Sequence, residues 1–325
     1  DQKLSKEIFF LDYNKFISEL NVGDEIEGFY ILKGAFPKVT AAGKPFLSAT
    51  LSDKTGTVEA KVWDYSGPIG SPDAGKVIKI RGTVGEFRGT PQLTVERIRL
   101  ANESDCYDTS ALVPVAPIDV ETTMFEMEAL ISSIRDDDYR AICQTVLKRH
   151  YDEWKNIPAA KSVHHGFLNG LLMHTYTMMK IAEFLAGLYA DIVDRSLLLA
   201  GTFLHDFGKQ QEFTFSQLGL VTDYSIKGQL LGHLVIGAQE VAALARELGI
   251  SDEKSVLLQH LILSHHGEPE YGAAVKPICA ESELLSQIDM MDSRMEIFRE
   301  TMQGMQVGEV SGRIFALDKR VYKHI

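Results

Sequence analysis

At 325 residues the chain is too long for one ordinary domain, and two or three are expected. Its 45% hydrophobic, 24% charged and 9% aromatic content excludes a disordered or low-complexity protein. A net charge of -12, from 33 Lys+Arg against 45 Asp+Glu, excludes a polybasic nucleic-acid coat or membrane-surface binder.

The charge is unevenly spread. Residues 1–105 hold 14 basic and 15 acidic side chains, so nearly all the acidity belongs to residues 106–325. From about 22 to 100 the chain reads as strands: VGDEIEGFYILKGAF, PFLSATLSD, TVEAKVWDY, KVIKIRGTVGEF and PQLTVERIRL, separated by Gly, Pro, Asp and Asn punctuation. Val58, Ala60 and Val62 alternate with Glu59, Lys61 and Trp63, and Ile78 and Ile80 with Lys79 and Arg81. Five strands in about 80 residues fit a small closed barrel. Residues 106–121, with two prolines among 114–117, read as a linker.

From Thr122 the period becomes helical. Thr123 and Glu126 have the form of a capping box, and Met124, Met127, Leu130, Ile131 and Ile134 recur every three or four residues. The same spacing predicts helices over 141–151, 168–188, 195–205, 232–248, 253–263 and 281–298, with no strand pattern of any length before the tail. Residues 122–325 therefore read as an all-α domain. Cys106, Cys143 and Cys279 are far apart with no CxxC spacing, which points to a reducing, cytoplasmic compartment. No apolar run approaches the roughly 20 residues of a membrane span, and no charged-then-apolar leader is present. The opening Asp1, in place of Met, suggests a trimmed start.

The pattern of residues 1–105, from VGD through the DKTGTVEAKVW hairpin to VIKIRGTVGEFRGTPQLTVERI, resembles the OB-fold nucleic-acid-binding family. Such barrels bind single strands by stacking bases on exposed aromatics and tracking phosphates with cations. The candidates are Phe36, Phe46, Trp63 and Phe87 with Lys61, Arg81 and Arg88, although most aromatics of a small barrel serve as core. Trp63 is singled out because it alternates onto the face of Glu59 and Lys61.

All ten histidines lie at or beyond residue 150. Five fall in four places on apolar helical stretches: His174, His205 followed by Asp206, His233, and the pair His265–His266. One such histidine is usually a satisfied core residue. Five of them with a carboxylate would be costly to bury without a common partner, and divalent metal ions would satisfy all at once. Two ions about 3.5–4 Å apart can hold a hydroxide for in-line attack on phosphorus. The array resembles the HD superfamily of metal-dependent phosphohydrolases, whose pattern His174, His205–Asp206 and Asp289 match in order. The resemblance implies one ion on His174, His205, Asp206 and Asp289. A second would share Asp206 and take His233, His265 and His266. It also implies Lys209 beside the scissile phosphate, and leaves Asp292 as a supporting or surface acid.

Barrel, HHGFLNGLLMHT segment, HDFGK, LSHHGEPE and the RIFALDKRVYK tail together resemble the YhaM-type 3'→5' exoribonucleases. That resemblance implies removal of 5'-mononucleotides from single-stranded RNA, or single-stranded DNA, with two divalent ions. Manganese is the first expectation and iron, cobalt, nickel or magnesium the alternatives. It gives His164 and His165 a part in phosphate contact or proton transfer, with a solvated or capping role for His164 as the rival. The competing function is an HD phosphodiesterase or phosphohydrolase acting on a cyclic dinucleotide or free nucleotide, although the Gly-Tyr-Pro element of the cyclic-dinucleotide enzymes is absent. No membrane partner is expected, and the many apolar side chains of the helical half could serve self-association.

Overall fold

The computed structural model describes residues 12–87, 89–159, 167–216, 218–303 and 305–325. The expectations for Arg88, His164 and His165 lie outside the described residues. The described residues form two compact units. One runs to Val115 and includes Ser216–Thr222, and the other comprises Ala116–Phe215 with Asp223–Ile325.

The first unit is built on strands β1 (Asp12–Tyr13), β2 (Glu25–Val39), β3 (Pro45–Asp53), β4 (Gly56–Trp63), β5 (Val77–Phe87) and β6 (Thr90–Leu100). β2 is long enough to serve two neighbours: Glu25–Ile31 pairs with β5, and from Ile31 onward, through a register shift at Leu32/Gly34, the strand pairs with β3. The sheet continues through β4, and a parallel pairing of β4 with β6 completes a closed five-stranded barrel with no free long edge. β1 adds a short parallel pairing to the start of β2. Alternation runs as the sequence predicts. Val58, Ala60 and Val62 turn inward with Leu47, Leu51, Ile78 and Ile80, while Glu59, Lys61 and Trp63 face out. Each large aliphatic side chain so buried contributes about 1.5–3 kcal/mol.

After a single helical turn, α1 (Thr109–Leu112), the second unit is helical: α2 (Val120–Ser132), α3 (Asp137–Arg149), α4 (Tyr151–Asn156), α5 (Gly170–Leu188), α6 (Arg195–Leu204), α7 (Lys209–Glu212), α8 (Ile226–Leu248), α9 (Asp252–Ser264) and α10 (Ala280–Gln303). Three expectations are corrected. α2 is capped by Asp119, whose carboxylate accepts from the Thr122 amide, so Thr123 lies inside the helix and the Thr123/Glu126 pair is no capping box. α8 starts at Ile226, because the helical segments before and after Gly232 join across that residue's left-handed break. A hairpin, β7 (Phe213–Phe215) with β8 (Val221–Tyr224), stands where no strand was expected, its strands too short for alternation to be read. Among the described residues no helix is long and apolar enough to cross a membrane.

The helical core gathers Met124, Met127, Ile131 and Ile134 from α2 and its C-terminal end around Trp154 and Phe203, whose rings stack with centroids 4.9 Å apart. α5 and α6 run through this core, which makes them rigid carriers for the residues at their ends.

Candidate metal centre

Five helical elements deliver the polar cluster. His174 sits in the first turns of α5, His205 caps α6 and is followed by Asp206, and His233 follows the break in α8. His265 caps α9 with His266 next to it, and Asp289 lies within α10. Two glycines make the approach possible. At Gly208 an added Cβ would stand 2.4 Å from the His233 carbonyl oxygen, so only glycine lets the turn after Asp206 lie against α8. Gly232 takes φ 70°, ψ 162°, and this positive-φ kink lets the His233 amide leave the helical ladder and donate to Glu212 Oε1 at 3.0 Å.

Asp206 stands at the middle of the cluster, almost wholly buried. Its Oδ2 lies 3.4 Å from His205 Nε2 and 3.8 Å from His174 Nε2. Its Oδ1 lies 3.3 Å from His233 Nε2 and 3.6 Å from His265 Nε2. The donor atoms therefore fall into two groups on either side of one carboxylate. His174, His205 and Asp206 offer ligand atoms within 4.8 Å of one another, and so do His233, His265 and His266. Asp289 Oδ1 joins the first group, 3.3 Å from His174 Nε2. Asp206 Oδ1, His233 Nε2, His265 Nε2 and His266 Nδ1 are all buried without a hydrogen-bond partner. Orphaned buried atoms such as Asp206 Oδ1 and the His233 and His265 Nε2 atoms that face it are what a cation would satisfy. The nitrogen and oxygen donor set, with no thiol in it, suits divalent metals, and the two clusters fit divalent metal binding.

Four of the imidazoles are held from behind. His205 Nδ1 donates to the Thr202 carbonyl and His265 Nδ1 to the Ile262 carbonyl, each at 2.7 Å. His174 Nδ1 donates to Asp292 Oδ2 at 2.7 Å, and His233 Nδ1 to Glu212 Oε1 at 3.0 Å. Acceptors on Nδ1 fix the hydrogen there and aim the Nε2 lone pair at the cluster, the outer-partner arrangement that orients metal-binding histidines. Asp292 is thus a supporting acid rather than a surface one. Glu212 escaped the sequence reading because it lies 21 residues from His233 in a hairpin-flanked turn, and no spacing rule links the two.

The charges are strongly coupled. Burial pushes the Asp206 carboxyl up, but Lys209, 2.6 Å away at Nζ, and His205 outweigh it and hold the group well below the usual carboxylate range. Asp289 is likewise held low against its burial by His174. Burial acts to lower His174, yet the hydrogen bonds of Asp289 and Asp292 raise it to about 9. His266 goes the other way: burial, with His265 and His233 as neighbours, lowers it to about 3 and keeps it neutral. Lys209 stays charged because Asp206 offsets its burial. His260, on the same helix as His265, lies apart, 3.2 Å from Ser282 Oγ. It is a half-buried histidine satisfied by hydrogen bonds with Ser282 and the Ile278 amide.

On the barrel, Phe46 and Trp63 are direct cross-strand neighbours with ring centroids 5.1 Å apart, and Trp63 is half exposed. In the adjacent cross-strand row Phe36, Ser48 and Lys61 line up, with Lys61 Nζ donating to Ser48 Oγ at 2.6 Å and lying 5.9 Å from the Phe46 ring centre. This is the second-and-third-strand surface on which OB barrels take single strands. Phe36 and Phe87 are also exposed, so neither is core. Arg81 is not beside them. It pairs with Arg97 across β5 and β6, next to Lys79 opposite Arg99, and these strands border β2 and β4 rather than β3. The alternating Lys and Arg of PQLTVERIRL and KVIKIRG carried this stripe in plain view, but only register could show that like charges face each other.

A small closed barrel and a helical unit that carries a two-sided cluster of imidazole and carboxylate fitted to divalent metals thus share one chain. Residues 171–294 match the family model described as HD domain, and residues 33–101 match the one described as OB-fold nucleic acid binding domain. Among solved structures, the barrel is similar to the second OB-fold domain of replication protein A from Methanococcus maripaludis, 18% identical over 29% of this chain and 98% of that one, with TM-score 0.22. It is also similar to the OB domain of a protein from Thermoplasma acidophilum, 14% identical over 30% of this chain and 92% of that one, with TM-score 0.24. The HD match indicates phosphohydrolase chemistry, and with the barrel it supports a metal-dependent hydrolase of nucleic acids.

Proposed function

We propose that the protein is a 3'→5' exonuclease of single-stranded RNA, also able to take single-stranded DNA, that releases 5'-mononucleotides. The observation that carries the hydrolytic part is the division of Asp206: one oxygen turned to His174 and His205, the other to His233 and His265. In this reading His174, His205, Asp206 and Asp289 hold one divalent ion, and Asp206, His233, His265 and His266 hold a second, with manganese the first candidate. Bound ions would supply charge stabilisation at the phosphoryl oxygens and a water acidic enough to attack near neutral pH.

The chain's own groups do the rest. Lys209, ion-paired to Asp206 at 2.6 Å, brings a fixed positive charge to the phosphate side of the carboxylate and offsets charge growing on the phosphoryl group. The outer partners of the histidines spare the site reorganisation during turnover, because ring orientation is set before substrate arrives. His165 is the candidate for proton transfer and His164 for phosphate contact. On the barrel, Trp63 and Phe46 stack bases beside Lys61, which meets a phosphate, while Arg81, on the β5–β6 side, and Arg88 are further phosphate candidates. The reading takes residues 1–105 as the binding module, 106–121 as linker and 122–325 as the hydrolase, working in the cytoplasm.

A time course on 5'-labelled RNA with manganese, with and without a 3'-phosphate, tests this. The expected result is a ladder shrinking from the 3' end, 5'-mononucleotides as product, and inhibition by the block. Intact RNA together with turnover of a cyclic dinucleotide or a nucleoside triphosphate would keep the phosphohydrolase and refute the exonuclease.

A further inference from the structure

Beside the cluster lies a cleft of about 480 Å³, lined among others by His266, Tyr271, Asp289, Arg294, Ile297 and Leu317. Three of its lining residues, His265, His266 and Asp289, are proposed metal ligands, so the cleft opens directly on the reacting centre. Its volume lies in the range that encloses a small organic ligand, about 300–1,000 Å³. One wall is α10, where Asp289 and Arg294 are five residues apart, roughly 7.5 Å along the axis. The facing wall is a tail segment anchored by Leu317, which is buried against Ile297 and Val321. The rim carries the Tyr271 ring, 68% exposed, at the end of a short turn begun by Pro269.

Arg294 gives the cleft its polarity. It is only partly exposed, yet among the described residues its guanidinium makes no hydrogen bond and no ion pair. The tail acid that lines the cleft, Asp318, is already engaged by Arg313. A half-buried fork of five unmet donors next to a phosphoryl-transfer centre is matched by a phosphate or by the carbonyl and hydroxyl groups of a nucleotide. An aromatic rim and an apolar floor of Ile297 and Leu317 match the flat face of a base.

We infer that this cleft is the subsite for the nucleotide adjoining the scissile phosphate, with its base against Tyr271 and the apolar floor and Arg294 bonded to its polar groups. The inference rests on the nuclease reading above and adds what that reading lacks, a place within the helical unit where a nucleotide is told from any other phosphodiester. Arg294 and Tyr271 are binding residues here and take no part in the chemistry.

The experiment compares three substrates on the manganese-loaded full chain: bis(4-nitrophenyl) phosphate, the 4-nitrophenyl ester of thymidine 5'-monophosphate, and a 5'-labelled RNA. Arg294→Ala is expected to lower kcat/KM on the ester and the RNA about tenfold or more, chiefly through KM, as for loss of a charge-assisted hydrogen bond. Bis(4-nitrophenyl) phosphate, which has neither base nor sugar, should lose clearly less than the two nucleotide substrates, and metal content should stay at the wild-type level. Tyr271→Ala should act in the same direction more weakly, and Arg294→Gln serves if the alanine variant folds poorly. Equal loss on all three substrates, or no loss on any, overturns the subsite. A wild-type protein that cleaves bis(4-nitrophenyl) phosphate but neither nucleotide substrate overturns the nuclease reading itself, and the subsite with it.

Discussion

In the helical unit five imidazoles and two carboxylates gather in one buried to half-buried cluster, and four of the rings are each pinned by a hydrogen bond from behind. On the barrel, Phe46, Trp63 and Lys61 lie on an open sheet surface with mainly one another for company. The first region has its geometry prescribed before anything binds. The second has a chemistry, stacking and charge, but leaves the ligand to choose its register. Burial makes every polar group of the first interdependent, so single changes there should propagate. Changes on the barrel should stay local, coupling only among the touching Phe46, Trp63 and Lys61 side chains.

The contrast can be broken or sharpened by substitution. The largest effect is expected for Asp206→Ala, which removes the group common to both halves of the cluster. Bound metal measured by elemental analysis should fall to background and hydrolysis should be lost, and full activity in that variant would end the shared-carboxylate assignment. Next come Glu212→Gln and Asp292→Asn, which keep shape but weaken the support behind His233 and His174. Each should reduce metal affinity about 10–100-fold in a competition titration with a chelator. If either leaves affinity unchanged, the outer partners are structural only. Trp63→Ala should weaken binding of a single-stranded oligonucleotide by about 1–3 kcal/mol, read by fluorescence anisotropy, without changing metal content. The smallest effect is expected from Arg97→Ala on the β5–β6 stripe. If the stripe meets phosphates, the slope of log affinity against log salt should fall by about 1, and an unchanged slope would remove the stripe from the nucleic-acid path.

Much of this was legible in the sequence, for reasons that differ by region. The barrel strands announce themselves because one face of each is core: Val58, Ala60 and Val62 had nowhere else to go once Glu59, Lys61 and Trp63 were placed outside. The ligand candidates announce themselves because imidazole and carboxylate are expensive inside apolar helices. What stayed hidden was whatever depends on the approach of distant segments. Glu212 behind His233, the partnering of Arg81 with Arg97, and the tail wall of the cleft at Leu317 are products of tertiary packing, with no local pattern to report them. The Thr123/Glu126 pair shows the converse, a local pattern that fits a cap and is overruled by a better one four residues earlier at Asp119.

Gly208 carries one more implication. The atom that a methyl group there would strike is the backbone oxygen of His233, one of the residues in the cluster. The spacing between two helical segments and the position of a donor are therefore the same quantity, and neither can be adjusted alone. For anyone seeking to retune this centre, the scaffold is the wrong handle. The adjustable parts are the supporting acids, Glu212 and Asp292, which act on the basicity and aim of the rings through hydrogen bonds.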